Sequence, residues 1–199
     1  MVTDEQKKYR DRANRARRGL IKEKKDFGFI SDGSGKRYRA CVYYVLSGSP
    51  EKAVEFMDWF ESEFPDDIGE PAFFLFAALA YHRVGDVNRA RKYLLDTMLS
   101  NIYLLPILLS DPISEQDMWH PSNRDQEDYM WEIEEFLNEP TDQEREWIKV
   151  QFNSEMFVKL RKKYIDTCRA MKHTSNFDER AKILSEWREY EALIRASEI

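Results

Sequence analysis
A chain of 199 residues that is 42% hydrophobic and 14% aromatic, with a formal net charge of −6, has the apolar content of a folded protein and is not an intrinsically disordered one. No apolar run approaches the ~20 residues that span a bilayer, and the charged N-terminus lacks the apolar stretch of a signal peptide. Cys41 and Cys168 are too few and too far apart in sequence for a disulfide scaffold, so the expected setting is a reducing cytoplasm with both as buried thiols.

The charge is unevenly placed. Residues 1–40 hold 13 Lys and Arg against 6 Asp and Glu, and the remainder holds 18 against 31. A basic head on an acidic body suits an anionic partner, or docking onto the chain's own acidic half. Mixed-sign charge on a helix favours the internal or solvated reading. The head is a predicted helix, Thr3–Lys25, with a thin apolar stripe of Tyr9, Ala13, Ala16, Leu20 and Ile21. Asp26–Gly35 follows as a Gly-rich loop or hairpin. Its Gly33-Ser34-Gly35-Lys36 has the closing residues of a phosphate-binding loop, but Ile30 stands at the first Gly position and Arg37 replaces the Ser or Thr after Lys. A turn into the next helix is expected, with Gly35-Lys36-Arg37 able to hold an anion only weakly. Phe27-Gly28-Phe29-Ile30 resembles the RNA-contacting strand of cold-shock domains. The segment before Arg37 is too short for such a barrel, so a loop whose aromatics pack on neighbouring helices is expected.

Residues 36–66 and 71–101 share a layout. In the second, Pro71 suits a first helical turn, and Phe74, Ala77, Ala78, Tyr81 and Val84 recur at spacings of three and four. Gly85 fits a left-handed helix end, Asp86 a cap for the next helix, and Val87, Ala90, Leu94, Thr97 and Met98 form a second stripe. In the first, Ala40-Cys41, Tyr44, Gly48-Ser49, Ala53 and Met57 take the corresponding places, Pro65 closes the unit, and Asp67–Glu70 lengthens the link. The pattern resembles the tetratricopeptide repeat, a helix–turn–helix unit of about 34 residues. Phe74 stands where that family often has Trp, and Thr97 where it prefers Ala.

Ile102–Leu109 is apolar and interrupted by Pro106, so a short buried helix or turn is expected. Ser110–Arg124 is a polar connection. Asp125–Asn138 reads as an acidic amphipathic helix carrying Tyr129, Met130, Ile133, Phe136 and Leu137, ended by Pro140. Thr141 and Glu144 form a capping box for a helix from Asp142 to about His173, with a break near Asn153-Ser154. Ser175 or Asn176 starts a last helix with Ile183, Leu184, Trp187, Tyr190 and Leu193. The fold class is therefore all-α. It comprises a basic helix and loop (1–35), two tetratricopeptide-like repeats forming a right-handed superhelix plus a short apolar segment (36–111), and a helical capping region (112–199), together one structural domain.

The resemblance implies a groove lined by the first helix of each repeat: Tyr38, Arg39, Val42, Val45 and Leu46, then Leu75, Phe76, Leu79, His82 and Arg83. The Lys and Asn of family members that clamp a terminal carboxylate are replaced by Tyr38, Val42, Leu75 and Leu79, so no such clamp is expected. An open apolar groove is sticky in a monomer; either a partner or the C-terminal helices fill it, and filling by the chain itself is favoured, with a residual cleft near His82 and Arg83. No residue has the setting of a catalytic group. Asp117 and His120, three apart, make at most two ligands of a metal site. His173 is expected at a helix end. Glu127, Asp128, Glu132, Glu134 and Glu135 read as a solvated acidic face. The functional expectation is a protein or peptide interaction module with no catalytic activity, no cofactor and no membrane association. The alternative is nucleic-acid binding through Lys7, Lys8, Arg10, Arg15, Arg17, Arg18, Lys22, Lys24 and Lys25.

Overall fold
The computed structural model describes residues 2–198, apart from the side chains of Glu132, Ser197 and Glu198. Every regular element among the described residues is helical, and no helix among them is long and apolar enough to cross a membrane. The chain divides into two compact units, Met1–Tyr93 and Leu94–Ile199.

In the first unit, helix α1 (Asp4–Phe27) starts on a capping box. Thr3 Oγ1 accepts from the Gln6 N–H at 3.1 Å and Gln6 Oε1 accepts from the Thr3 N–H at 3.0 Å. Its buried residues, Ala13 and Leu20, are seven apart and share one face, which packs along α2 (Lys36–Leu46). The thin apolar stripe is supplemented by polar and aromatic contacts. The Tyr44 hydroxyl donates to Asn14 Oδ1 at 3.0 Å, and Tyr9 stacks on Tyr43 at 5.9 Å.

Helices α3 (Pro50–Glu63) and α4 (Pro71–Arg83) both carry Pro in their first turn. Helix α4 packs on α2 and α3, and α1 packs on α2. Two turns are built alike. The Ser49 N–H bonds to the Tyr44 carbonyl and the Gly48 N–H to that of Val45, while the Asp86 N–H bonds to the Tyr81 carbonyl and the Gly85 N–H to that of His82. This double hydrogen bond closes a helix on a left-handed residue, and Gly48 and Gly85 sit at φ 69° and 84°. Asp86 then caps α5 (Val87–Ser100) by accepting from the Arg89 N–H at 3.1 Å.

The second unit takes the rest of α5, then α6 (Leu104–Leu108), α7 (Met130–Ile133), α8 (Asp142–Phe152), α9 (Glu155–His173) and α10 (Phe177–Glu198). The Thr141–Glu144 capping box forms at α8, the chain breaks between Phe152 and Glu155, and Asn176 Oδ1 accepts from the Glu179 N–H at 3.1 Å to start α10. Of the stripe expected on α10, Trp187 is buried, resting 5.4 Å from the Tyr164 ring, while Leu193 is exposed.

Two expectations fail. Residues 125–138 are not one amphipathic helix: α7 spans four residues, flanked by single 3-10 turns at Asn123–Asp125, Glu127–Tyr129 and Glu134–Phe136. At its start the carbonyls of Arg124 and Gln126 accept from Asn101 Nδ2 at 2.7 and 3.0 Å, and at its end that of Leu137, which a helix would leave unbonded, accepts from an Arg145 guanidinium nitrogen at 2.5 Å. Tyr129, Met130 and Ile133 are still buried, and Glu127, Asp128, Glu134 and Glu135 are exposed, whereas the Glu132 side chain lies outside the described residues. The Phe27 and Phe29 side chains do not pack on neighbouring helices. They are 70% and 64% exposed, because α1 runs on to Phe27 and turns the chain outward at Gly28.

Candidate functional site
The face expected to form a groove is part of the core. Tyr38, Val42, Leu75, Phe76 and Leu79 are buried, while Arg39 is exposed and His82 and Arg83 are half-buried. Tyr38 is also fixed from below. Its hydroxyl donates to Asp67 Oδ1 at 2.7 Å, and Asp67 Oδ2 lies 2.9 Å from Arg37 Nε. The surface left on this face is polar and cationic rather than apolar.

Tyr81 is likewise held by its neighbours. Tyr81 accepts from Arg89 at 3.1 Å and stacks on Tyr93 at 5.4 Å, and Arg89 reaches Asp58 of α3 at 2.5 Å. Lys92 pairs with Glu61 of α3 at 3.2 Å. Two helices earlier, Arg17 of α1 pairs with Glu55 of α3 at 2.8 Å and Lys24 with Glu63 at 2.5 Å. Ion pairs thus run from α1 to α3 and from α3 to α5.

These pairs occupy part of the basic head. Lys7 pairs with Asp4, Arg17 with Glu55 and Lys24 with Glu63. Lys8, Arg15, Arg18, Lys22 and Lys25 are exposed and make no ion pair among the described residues. Positions 8, 15 and 22 repeat every seven residues, and 18 and 25 flank them, so all five fall on one side of α1.

The phosphate-loop residues are not open to an anion. Asp32 is buried, and its two carboxylate oxygens accept from the Lys36 and Arg37 N–H groups, each at 2.8 Å. The donors at the start of α2 are therefore taken. Asp32 is held in turn by α1, where Glu23 Oε1 accepts from the Ser31 and Asp32 N–H groups at 2.9 and 3.1 Å. Asp117 and His120 do not converge: Asp117 pairs with Lys172, and His120 Nδ1 faces Asp125 Oδ1 at 3.3 Å. His173 ends α9, as expected.

The structure gathers one cluster that sequence spacing concealed. The Trp119 N–H bonds to the Cys168 carbonyl at 3.1 Å, which brings His120 and Asp125 toward Cys168 and Tyr164. Burial pushes the Cys168 thiol up to about 11 and raises Tyr164 as well. A thiol held neutral by burial is a poor nucleophile. Asp125 is only 3% exposed, and neither of its oxygens accepts a hydrogen bond from the described residues. Burial raises its carboxyl from 3.8 to about 6, with His120 opposing. The folded chain therefore holds this proton more tightly than the unfolded chain, so Asp125's contribution to stability is complete below about pH 4 and is lost as pH rises through about 6. Asp125→Asn, a neutral isostere, is expected to stabilise the chain by roughly 1–3 kcal/mol near neutral pH and by little near pH 4. Denaturant midpoints at the two pH values measure this, and an equal effect at both would show that folding leaves the Asp125 carboxyl unshifted.

No family model, curated protein or solved structure matches this chain.

Proposed function
We propose that the chain is a tetratricopeptide-like interaction protein with no catalytic role. The observation that carries this reading is the pair of identically bonded turns at Gly48 and Gly85, each joining two helices. The order of packing supports it: α2 lies on α1 as α4 lies on α3, so α1 stands in the place of the second helix of a preceding repeat. Helical arrays recruit partners through the faces that repetition aligns. Here the apolar positions of that face are spent on the core, so recognition falls to Arg39, His82 and Arg83, and the complementary partner is an acidic protein segment. The test is capture from the native host with the full-length chain and with Arg39→Glu/Arg83→Glu, which spares every buried position. A protein retained by the parent and lost by the variant is the expected result; retention by both rejects this face.

The five unpaired cations of α1 favour one second reading, binding to a nucleic-acid backbone. Five phosphate contacts give a slope of log affinity against log salt of roughly −4. A mobility-shift series with duplex and single-stranded probes measures it. A slope near zero, or one unchanged in Arg15→Glu/Lys22→Glu, rules this reading out.

A further inference from the structure
Arg161 of α9 is a half-buried cation with no counter-ion among the described residues. One guanidinium nitrogen donates to the Phe152 carbonyl at 3.2 Å and lies 3.9 Å from Met98 Sδ, and the guanidinium carbon sits 3.9 Å from the Phe152 ring centroid. None of these contacts neutralises it, and burial alone lowers its proton affinity from the ordinary arginine value. Withdrawing a charge from water without a partner is unfavourable, yet this one is also held rigid.

It lines a cleft of about 250 Å³. Val158 and Ile165 form an apolar wall, while Lys162 and Arg169 add two more cations on the same side of α9. The lone acid of the lining, Asp166, lies 3.6 Å from Arg169. Gln116 fixes Arg169 further: its Oε1 accepts from an Arg169 guanidinium nitrogen at 2.7 Å, while its own Nε2 donates to the Ser114 carbonyl at 2.7 Å. Lys162 is exposed and makes no ion pair among the described residues. Three cations against one acid leave the cleft electropositive, with an apolar wall beside them.

We propose that this cleft binds the oxyanion of a small organic acid, either a phosphate monoester or a carboxylate, with Arg161 as the preorganised contact. Guanidinium groups match the planar geometry of both anions, Lys162 closes over the ligand as a mobile point charge, and Val158 and Ile165 cover the ligand's apolar body. The site shares no residue with the face or the helix invoked above, so it stands or falls separately from them.

The experiment is a titration of the 15N-labelled full-length chain with phenyl phosphate and, separately, with benzoate, at ionic strength matched with chloride. The Arg161 Nε–Hε resonance, assigned by its loss in Arg161→Lys, is the readout. A saturable shift with either probe is expected, and which probe binds tighter separates a phosphate ligand from a carboxylate one. Arg161→Gln is expected to weaken binding at least ~10-fold. Lys162→Gln, which removes no packing, is expected to weaken it about 3-fold and guards against a folding defect in the first variant. No saturable shift with either probe, or parental affinity in both variants, overturns the proposal.

Discussion

Asn101→Ala is expected to destabilise the second unit by about 3–5 kcal/mol. Asn101 is fully buried, and its side chain makes four hydrogen bonds. Nδ2 donates to the carbonyls of Arg124 and Gln126, and Oδ1 accepts from the N–H groups of Tyr103 and Leu104 at 2.9 and 3.0 Å. One residue thus caps α6 and ties down the irregular stretch that precedes α7. Alanine removes all four bonds; the Tyr103 and Leu104 N–H groups lose their acceptor, each at about 1–3 kcal/mol where water cannot reach it, while the Gln126 carbonyl keeps the Tyr129 N–H at 3.3 Å. Asn101→Asp separates the two halves of this role, since it keeps the acceptor for α6, loses both donors and buries a charge. It is expected to be at least as harmful as alanine. Chemical denaturation measures both, and a loss below about 1 kcal/mol for alanine would mean that water replaces the side chain.

Gly69→Ala is expected to cost about 2–5 kcal/mol. Gly69 has φ +64°, where a side chain costs about 1–2 kcal/mol. A Cβ there would also stand 2.1 Å from Phe74 Cζ and within 2.7 Å of both ring ε carbons, and such overpacking adds about 1–3 kcal/mol. Neither side yields readily. The Phe74 ring lies among Phe73 and Tyr93, at 5.7 and 6.1 Å. The turn is held by the Gly69 N–H donating to Asp67 Oδ1 at 2.7 Å, the same oxygen that accepts from Tyr38. The double variant Gly69→Ala/Phe74→Leu distinguishes the two causes. If the ring clash dominates, the double variant is more stable than the sum of the singles predicts; strict additivity would assign the whole effect to the backbone.

What the sequence disclosed was local chemistry. Gly48 and Gly85 mark helix ends because the left-handed conformation suits glycine, and both turns form where they were expected. Thr141 with Glu144, and the break at Asn153-Ser154, follow from the same capping logic. What it concealed depends on partners distant in sequence. The acidic stretch 125–138 has helical periodicity, but Asn101 and Arg145 lie outside it and bond the Gln126 and Leu137 carbonyls near its two ends. The tetratricopeptide resemblance placed Val42, Leu75 and Leu79 on a groove-lining face, and the structure buries all three. The basic head looked uniform because Glu55 and Glu63, which neutralise Arg17 and Lys24, lie 38 and 39 residues away. The Arg161 cleft had no signal at all, since an uncompensated arginine is defined by what surrounds it.

The link through Glu23 and Asp32 has a consequence for local unfolding. The first turn of α2 is capped by Asp32, and the backbone of Asp32 is anchored to a side chain on α1. Fraying of the last turns of α1 therefore releases the cap of α2, and the two helix ends open as one cooperative unit although a loop separates them. Their amide protons are expected to exchange with a shared opening free energy.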